Sequence, residues 1–364
     1  MNPIKNIIEQ FFAKKKVLGK EQDLIGLAKA DALLSQLVND HKVPGLAITV
    51  LKNGETFFQK GYGFIDLNTR NKVSAENTVF RIASVSKPVA ATALAHMVRE
   101  RLIDLDASFY AYVPYFPKKE WDFTIRQLAG HTAGIRGYRG IEYGLNKKYG
   151  IREGIEVFKD DDLLFEPGTD YLYNSFGWVL ISLAMQEVSG IPFEDYVSEK
   201  VLQPLGLNKT FAPNLHNAGS APFQEDENLQ LSKFYSKCLT GFREAIEVNN
   251  FYKLAGGGYL STTSDLAKFG QAYLDGQVLG YDILKQFLTP GSINKTSTFY
   301  GLGWQVSRDS GGRNYYGHVG NGVGGYSNFF VYPKEQMVFA ILTNCTDPKI
   351  QNTLDDAIEA LLLA

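Results

Sequence analysis

The sequence predicts an α+β fold in which one antiparallel sheet combines segments from both ends of the chain. Strand-like segments bounded by turn residues occur near the N-terminus and again near the C-terminus, and helical periodicity occupies residues 88–245 between them. Strands from both ends can share one sheet while the intervening helices pack beside it. We therefore expect a sheet flanked by helices, an inserted all-helical subdomain, and a cleft between the two parts.

The first predicted elements are a helix and two strands. Apolar residues recur at helical spacing and predict a helix over residues 22–40. Residues 46–51 and 55–61 read as strands on either side of Asn53-Gly54. Because Asn-Gly favours the φ angles of a two-residue hairpin turn, these two strands are predicted to pair.

The middle of the chain is dominated by helical patterns. Helices are predicted over residues 89–101, 178–188 and 193–202, and glycine- and tyrosine-rich loops at 134–150 and 165–175 interrupt them. No strand pair of comparable quality is evident here, so we expect the region to be helical throughout.

The C-terminal part returns to strands. They are expected at residues 303–306, 315–319, 326–332 and 337–343, with the last two forming a hairpin, and a helix over 350–363 follows. The chain is accordingly divided into an N-terminal helical extension at 1–21 and a domain at 22–364. Within that domain the α/β part covers about 22–87 and 246–364, and the helical part covers about 88–245.

Composition narrows the function classes. A net charge of −2 with no basic stripe argues against a nucleic-acid partner. Cys238 and Cys345 lie far apart without a metal-ligand spacing, and the five histidines form no metal motif. We expect no metal and no cofactor. The longest apolar run, residues 178–185, is far shorter than a membrane span.

The first residues do not resemble a secretory signal. Residues 1–16 lack a continuous apolar core before Lys14-Lys15-Lys16, and their apolar residues recur at helical spacing. A short amphipathic helix packed on the body is favoured over a membrane anchor. The expected location is cytoplasmic, or periplasmic or secreted if a natural signal was trimmed.

The most informative motif is Ser84-Val85-Ser86-Lys87, which is followed at once by an apolar periodic stretch. Residues i and i+3 share one face of a helix, so the Lys87 amine can reach the Ser84 oxygen. A serine needs an adjacent base to become a nucleophile, and the positive end of the helix dipole favours a deprotonated Lys87.

Two other motifs in the sequence do not indicate a functional site. Ser292-Ile293-Asn294-Lys295 repeats the Ser-x-x-Lys spacing but has no helical periodicity behind it, so a solvated loop is expected. Residues 320–325 fit G-x-G-x-x-G, but a strand follows where a dinucleotide site needs a helix. No G-x-S-x-G elbow occurs, which argues against an α/β-hydrolase.

From about residue 40 to 345 the chain resembles the class C β-lactamase-like and penicillin-binding-protein-like serine hydrolases. The segments that carry the resemblance occur in that family's order; they include 80–88, 102–106, 124–134, 167–169, 204–207, 256–262, 300–304 and 317–320. The stretches 131–136 and 173–178 are most similar to the serine β-lactamase-like protein branch. The resemblance implies a β-lactamase/transpeptidase-like fold, in agreement with the pattern of elements.

The resemblance also implies roles for residues in the cleft. Ser84 matches the nucleophile and Tyr173 the catalytic tyrosine, whose pKa would be depressed by Lys87 and His318. His318 stands where β-lactamases carry the lysine of Lys-Thr-Gly, and its glycine neighbours favour exposure to the cleft. Whether Lys87 or Tyr173 is the principal base stays open.

The strand that carries His318 also suggests substrate contacts. Gly320 would let the substrate lie against the strand, and the Asn321 N–H would join the Ser84 N–H in an oxyanion hole. His131 is interpreted as a scaffold residue whose ring bonds neighbouring backbone.

Two departures from the family pattern affect the substrate. The tyrosine–x–asparagine motif becomes Tyr173-Asn174-Ser175, so Ser175 replaces the substrate-binding amide. His318 replaces a permanent cation with a group that titrates near neutrality. Both changes favour esters, small amides or unrelated peptides over β-lactams and D-Ala-D-Ala peptides.

The sequence thus predicts a metal-independent serine hydrolase that acts on a small-molecule or peptide substrate. A DD-peptidase or β-lactamase is the enzymatic alternative, and a catalytically silent peptide-binding scaffold is the alternative from another class. The oligomeric state is not predicted.

Overall fold

The computed structural model describes residues 24–213 and 229–364. Within these residues the chain divides into two compact units, one with residues 24–36 and 350–364 and the other with residues 37–349. The N-terminal extension expected at 1–21 lies outside the described residues, so it stays a prediction, as does the proposed domain division.

Helices occupy much of the described chain. In chain order they are α1 (Gly26–Asn39), α2 (Ser86–Arg99), α3 (Ile125–Ala129), α4 (Ile151–Gly154), α5 (Phe176–Ser189), α6 (Phe193–Val197), α7 (Thr263–Leu274), α8 (Tyr281–Phe287) and α9 (Gln351–Leu362). Among them no single helix has the length and apolarity of a membrane span; α5 and the bent continuation Phe193–Leu202 meet those criteria only as a pair, at 84° to each other.

Most strands lie towards the two ends, as the pattern of apolar residues predicts. They are β1 (Gly45–Lys52), β2 (Glu55–Gly63), β3 (Thr78–Arg81), β4 (Gln230–Leu231), β5 (Tyr235–Cys238), β6 (Gly241–Glu244), β7 (Leu260–Ser261), β8 (Ser292–Ile293), β9 (Thr296–Ser297), β10 (Gln305–Arg308), β11 (Asn314–Gly322), β12 (Gly325–Tyr332), β13 (Met337–Thr343) and β14 (Cys345–Thr346).

The main sheet joins the two ends of the 37–349 unit. Its strand order is β10-β11-β12-β13-β1-β2, and every neighbouring pair is antiparallel. The N-terminal β1 pairs with β13 in a register that places Leu46 opposite Thr343. Asn53 and Gly54 connect β1 to β2 with φ angles of 54° and 82°, so the predicted hairpin turn is confirmed.

The helical region packs α2 and α5 into the core. In α2 every residue from Ser86 to Ala95 is buried, and in α5 every residue from Phe176 to Met185 is buried. Helix α2 begins three residues earlier than the apolar pattern indicates, at Ser86, so Lys87 lies in its first turn.

The expectation that residues 88–245 contain no strand pair is wrong. Strands β5 and β6 form a hairpin there, and β14 pairs with β5 in parallel. The side chains of this hairpin are mostly polar, so apolar periodicity gives no signal for it. Part of its stabilisation comes from residues distant in sequence, for example the 2.9 Å contact between the Ser236 and Thr346 hydroxyls.

The second Ser-x-x-Lys copy forms a tight turn instead of the expected loop. Strands β8 and β9 pair around Asn294 and Lys295, whose φ angles are 50° and 68°. Ser292 and Lys295 are both exposed. The G-x-G-x-x-G segment covers the end of β11, the two-residue turn after it and the first residue of β12, so a strand follows as predicted.

A buried asparagine after β13 holds three chain segments together. Asn344 is 0% exposed. Its Oδ1 accepts from the Gly45 N–H at 3.0 Å, where β1 begins. Its Nδ2 donates to the Phe64 carbonyl at 3.1 Å and to the Ser232 hydroxyl at 2.9 Å. This side chain therefore satisfies buried polar groups that no regular ladder reaches.

We expect Asn344→Ala to lower the free energy of unfolding by ~2–4 kcal/mol, because each buried polar group left without a partner costs about 1–3 kcal/mol. Urea denaturation followed by circular dichroism measures the change. Asn68→Ala, at an exposed position, is the control and should stay within ~0.5 kcal/mol of wild type. Equal stability of the two variants would contradict this account of the junction.

Candidate active site

Ser84 lies in the middle of the 3₁₀ turn Ala83–Val85, which connects β3 to α2. Ala83 has a φ of 46°, a left-handed conformation that is uncommon for a residue with a Cβ. Strained backbone of this kind occurs often at functional sites. The Ser84 N–H is one of the first amides of this turn. Amides at the start of a helical segment have no carbonyl partner within that segment.

Strand β11 and its neighbour hold this turn in place. A Cβ on Gly320 would lie 2.5 Å from the Ile82 carbonyl oxygen and 3.0 Å from the Ser84 nitrogen. The Ser327 hydroxyl on β12 donates to the same Ile82 carbonyl at 2.7 Å. Gly320 is therefore needed for the strand to approach the turn, and its expected role of letting the substrate lie against the strand stays a prediction.

Lys87 points into the interior and is 0% exposed. Its Nζ lies 2.7 Å from the Gly256 carbonyl oxygen, 2.8 Å from the Tyr173 hydroxyl and 3.2 Å from Ser84 Oγ. The Ser175 hydroxyl is farther away, at 3.5 Å. The amine is thus surrounded by oxygen atoms, none of which belongs to a carboxylate of the described residues.

The environment of Lys87 favours its neutral form. Burial, and to a lesser extent the positive charge of Lys253, hold the pKa of the Lys87 amine well below its ordinary value. A neutral amine has two N–H donors and one lone pair. Since the Gly256 carbonyl can only accept, one N–H is directed there, and the lone pair remains available to the hydroxyl groups.

Tyr173 completes a triangle with Ser84 and Lys87. Its hydroxyl lies 2.7 Å from Ser84 Oγ, although 38% of the residue's surface is exposed. Burial of the hydroxyl end raises the pKa of Tyr173 above its ordinary value, and the hydrogen bond with Ser84 offsets part of that shift. The expectation of a depressed tyrosine pKa is therefore wrong, because burial also favours the uncharged forms of Lys87 and His318.

His131 and Asn174 position the tyrosine. The His131 carbonyl accepts from the Leu172 N–H at 3.0 Å, its Nδ1 lies 3.5 Å from the Asn174 nitrogen, and its ring centroid is 4.6 Å from that of Tyr173. The Asn174 Oδ1 accepts from the Gly177 N–H at 2.7 Å, at the start of α5. His131 thus acts on neighbouring backbone, as the sequence suggests.

Ser175 therefore takes the place beside Lys87 while Asn174 turns away to the helix. Besides its 3.5 Å contact with Lys87, Ser175 interacts with the Tyr138 hydroxyl and offsets part of the rise in that phenol's pKa. A hydroxyl at this position is shorter than an amide and offers a single donor. The asparagine in the sequence motif cannot supply the missing amide, because both ends of its side chain are engaged with backbone.

His318 does not face the cleft as expected. It is 1% exposed, its Nε2 lies 2.9 Å from the Tyr300 hydroxyl, and its Nδ1 lies 2.6 Å from the Val319 carbonyl oxygen. Because a carbonyl only accepts, Nδ1 carries the proton and Nε2 accepts from Tyr300. Burial, with Lys87 contributing, lowers the pKa of His318 to about 3.

Two sequence-based expectations for His318 are consequently wrong, its exposure and its titration near neutrality. In the described part of the chain no hydrogen bond joins it to Ser84, Lys87 or Tyr173, and its ring centroid is 5.8 Å from that of Tyr173. Its position supports Tyr300 and the surrounding aromatic rings.

A small cavity opens beside Ser84. Its lining includes Ser84, Tyr138, Ser175, Lys253, Gly256 and Asn321. Of these, sequence reasoning missed Tyr138, Lys253 and Gly256. Lys253 stands in an aromatic stretch before Gly256-Gly257-Gly258, and no sequence motif marks it as buried. The contact of Lys87 with the Gly256 carbonyl involves only the backbone of Gly256, so it cannot be predicted from residue type. Within the described ranges no group of three or more His, Cys, Asp or Glu side chains could hold a metal ion.

Comparisons with known proteins agree with this architecture. The mitochondrial serine β-lactamase-like protein LACTB of Homo sapiens is 26% identical over an alignment of 403 positions, which covers 83% of this chain and 71% of that protein. Penicillin-binding protein 4* of Bacillus subtilis is 24% identical over 311 positions, covering 82% and 67%.

Solved structures show the same fold. The D-stereospecific amidohydrolase from a Streptomyces species superposes with a TM-score of 0.76 at 23% identity, covering 91% of this chain and 97% of that one. The predicted β-lactamase/transpeptidase-like fold class is thereby confirmed. A family model described as Beta-lactamase matches residues 30–363, nearly the whole chain. The chain therefore belongs to the β-lactamase family of serine hydrolases.

Proposed function

We propose that this protein hydrolyses an ester or amide bond through an acyl-enzyme on Ser84, with Lys87 and Tyr173 as the acid–base pair. One observation carries the proposal: the three functional atoms form a triangle with sides of 2.7, 2.8 and 3.2 Å. A nucleophile within hydrogen-bond reach of its base, which other groups orient in turn, is the arrangement that covalent catalysis needs.

The proton of Ser84 has two routes to Lys87. It can pass directly over 3.2 Å, or it can pass to the Tyr173 oxygen over 2.7 Å while the phenol gives its own proton to Lys87 over 2.8 Å. The shorter contacts favour the relay. Because the pKa of Tyr173 is raised, its phenol is protonated in the resting enzyme and acts as a carrier, with Lys87 as the final acceptor.

The remaining steps follow from these protonation states. As Ser84 Oγ bonds to the acyl carbon, the carbonyl oxygen becomes an anion, which we expect the N–H groups of Ser84 and Asn321 to stabilise. The Lys87 ammonium then returns a proton through Tyr173 to the leaving oxygen or nitrogen as its bond to the acyl carbon breaks. Water, activated by the same pair, releases the acyl group and restores Ser84.

The walls of the site favour some substrates over others. His318 uses both ring nitrogens internally, so β11 offers no side-chain cation to a substrate carboxylate. Ser175 replaces the amide that would hold a peptide carbonyl. Both points support esters or small amides, and a DD-peptidase or β-lactamase is the alternative, supported by the similarity to a penicillin-binding protein. A catalytically silent peptide-binding scaffold would not need the triangle of Ser84, Lys87 and Tyr173.

A fluorophosphonate probe should label the protein once, on Ser84, because that hydroxyl has a base within hydrogen-bond reach. Ser84→Ala should abolish labelling and ester hydrolysis. Ser292→Ala, in the exposed second Ser-x-x-Lys copy, is the control and should change neither. Peptide mapping by mass spectrometry identifies the site, and labelling that persists in Ser84→Ala would overturn the assignment.

Tyr173→Phe keeps the ring and removes the proton carrier. We expect kcat to fall ~10²–10⁴-fold, the usual contribution of a general acid–base group, with little change in thermal stability. Tyr171→Phe, two residues away and partly buried, should reduce kcat less than about threefold. Equal, small effects of the two substitutions would mean that Lys87 receives the serine proton directly.

The pH dependence of kcat/KM for a neutral ester should show no inflection at the ordinary histidine pKa of about 6.5. The pKa of His318 is lowered to about 3, so its charge stays constant as the pH rises above that value. An acidic limb should arise only where falling pH protonates Lys87. A limb near pH 6.5 that disappears in His318→Gln, but persists in the exposed-residue control His41→Gln, would contradict this account.

A further inference from the structure

Lys253 is a buried lysine that the reaction steps above do not use. It ends the 3₁₀ turn Phe251–Lys253, directly before the segment whose Gly256 carbonyl holds Lys87. Only 5% of the residue is exposed. Its Nζ donates to the Tyr143 carbonyl at 3.2 Å and lies 4.7 Å from the centroid of the Tyr138 ring.

No carboxylate in the described part of the chain forms an ion pair with this ammonium. The charged group that influences it is a second cation, Arg81; burial, and then Arg81, lower the pKa of Lys253 to about 8. The lysine is thus still largely protonated at neutral pH. An ammonium buried without a counter-charge is unfavourable, and one carbonyl leaves donor capacity unused.

Arg81 adds to the positive potential of the same region. Its guanidinium donates to the Val323 carbonyl at 2.8 Å and lies 4.0 Å from the centroid of the Phe234 ring. Val323 lines the same cavity as Lys253 and Ser84. Cations beside a cleft with low-dielectric walls concentrate anions there, so this cavity favours a negatively charged group.

We propose that Lys253 binds a carboxylate of the substrate, so that the preferred esters or amides carry that group on the part that enters the cavity beside Ser84. This inference rests on the proposed hydrolase function and names its substrate class. β-Lactamases carry a lysine where this chain has His318, so that cation is absent here. Lys253 supplies a cation from a different wall of the cavity, which it forms with Tyr138 and Ser175.

The dimensions and donors of the cavity match a carboxylate better than a larger anion. Its volume is about 30 Å³, room for one small group. One ammonium and the neighbouring hydroxyls of Tyr138 and Ser175 can serve two oxygen atoms. A phosphate group has three strong acceptor oxygens and would need more donors than these.

A purely electrostatic role is the rival explanation. The charge of Lys253 lowers the pKa of Lys87, so its loss would alter every substrate's hydrolysis to the same extent. A carboxylate-binding role predicts something different, namely a loss confined to substrates that carry the carboxylate. The ratio of kcat/KM between a carboxylated ester and its neutral isostere separates the two, because common effects on the chemistry cancel.

Two ester pairs locate the carboxylate. On the acyl side, the mono-p-nitrophenyl ester of adipic acid is compared with the ester in which a methyl ketone replaces the carboxylate. On the leaving-group side, m-carboxyphenyl acetate is compared with m-acetylphenyl acetate. The wild-type enzyme should prefer the carboxylated member of one pair. In Lys253→Met that ratio should fall about ten- to a hundredfold, the usual value of a charge-assisted hydrogen bond.

Lys253→Arg keeps the charge and should retain part of the preference. Lys268→Met is the matched control, because Lys268 also donates to a backbone carbonyl, that of Gly206 at 2.9 Å, but lies outside this cavity; its ratio should equal that of wild type. Circular dichroism verifies folding. If Lys253→Met does not fold, the kcat/KM ratios of the wild-type enzyme and of Lys253→Arg still test the proposal.

Three results would overturn the proposal: no preference in either wild-type pair, a preference that survives Lys253→Met, or an equal loss for both members of a pair. Failure of the hydrolase function itself would look different. In that case the wild-type protein would cleave none of the four esters, or Ser84→Ala would cleave them as well as wild type.

Discussion

The interior position of the Lys87 amine is the constraint on which the rest of the site depends. In water a lysine is charged and cannot accept a proton, so the amine suits the base role proposed for it only because burial favours its neutral form. Burial in turn requires partners, and the Gly256 carbonyl and the Tyr173 hydroxyl provide them at 2.7 and 2.8 Å. These contacts fix the direction of the lone pair. In the exposed Ser292–Lys295 copy the same spacing occurs without burial.

The sheet takes a direct part in this arrangement. The left-handed Ala83 and the turn after it are held by Gly320 and by the Ser327 hydroxyl, both on strands of the main sheet. Ser84, the proposed nucleophile, is therefore fixed through its backbone, while Lys87 and Tyr173 are fixed through their side chains. His318 and His131 contribute as buried neutral rings that pack around the tyrosine, which explains why neither has a titratable role at neutral pH.

Residue spacing, turn residues and apolar periodicity were enough to predict the α+β class, the β1–β2 hairpin and the proximity of Ser84 to Lys87. The polar β5–β6 hairpin could not be predicted, because its pairing with β14 comes from residues about a hundred positions away. The state of His318 could not be predicted either, since it depends on Tyr300 and on burial that a glycine-rich neighbourhood does not suggest. Lys253 was missed because an isolated lysine has no spacing signature; only its cavity distinguishes it from surface lysines.

The pairing of β1 with β13 also affects when the protein gains its reactivity during synthesis. Leu46 and Thr343 are partners in the ladder, and β11 and β12, which hold the Ser84 turn, come late in the chain. A ribosome releases the Ser-x-x-Lys segment long before these strands exist. Because contacts between distant segments form late and slowly, the nascent chain carries the serine without its supporting strands. We therefore expect the proposed nucleophile to stay unactivated until the last strands close the sheet, so that Ser84 of an unfinished chain is not acylated.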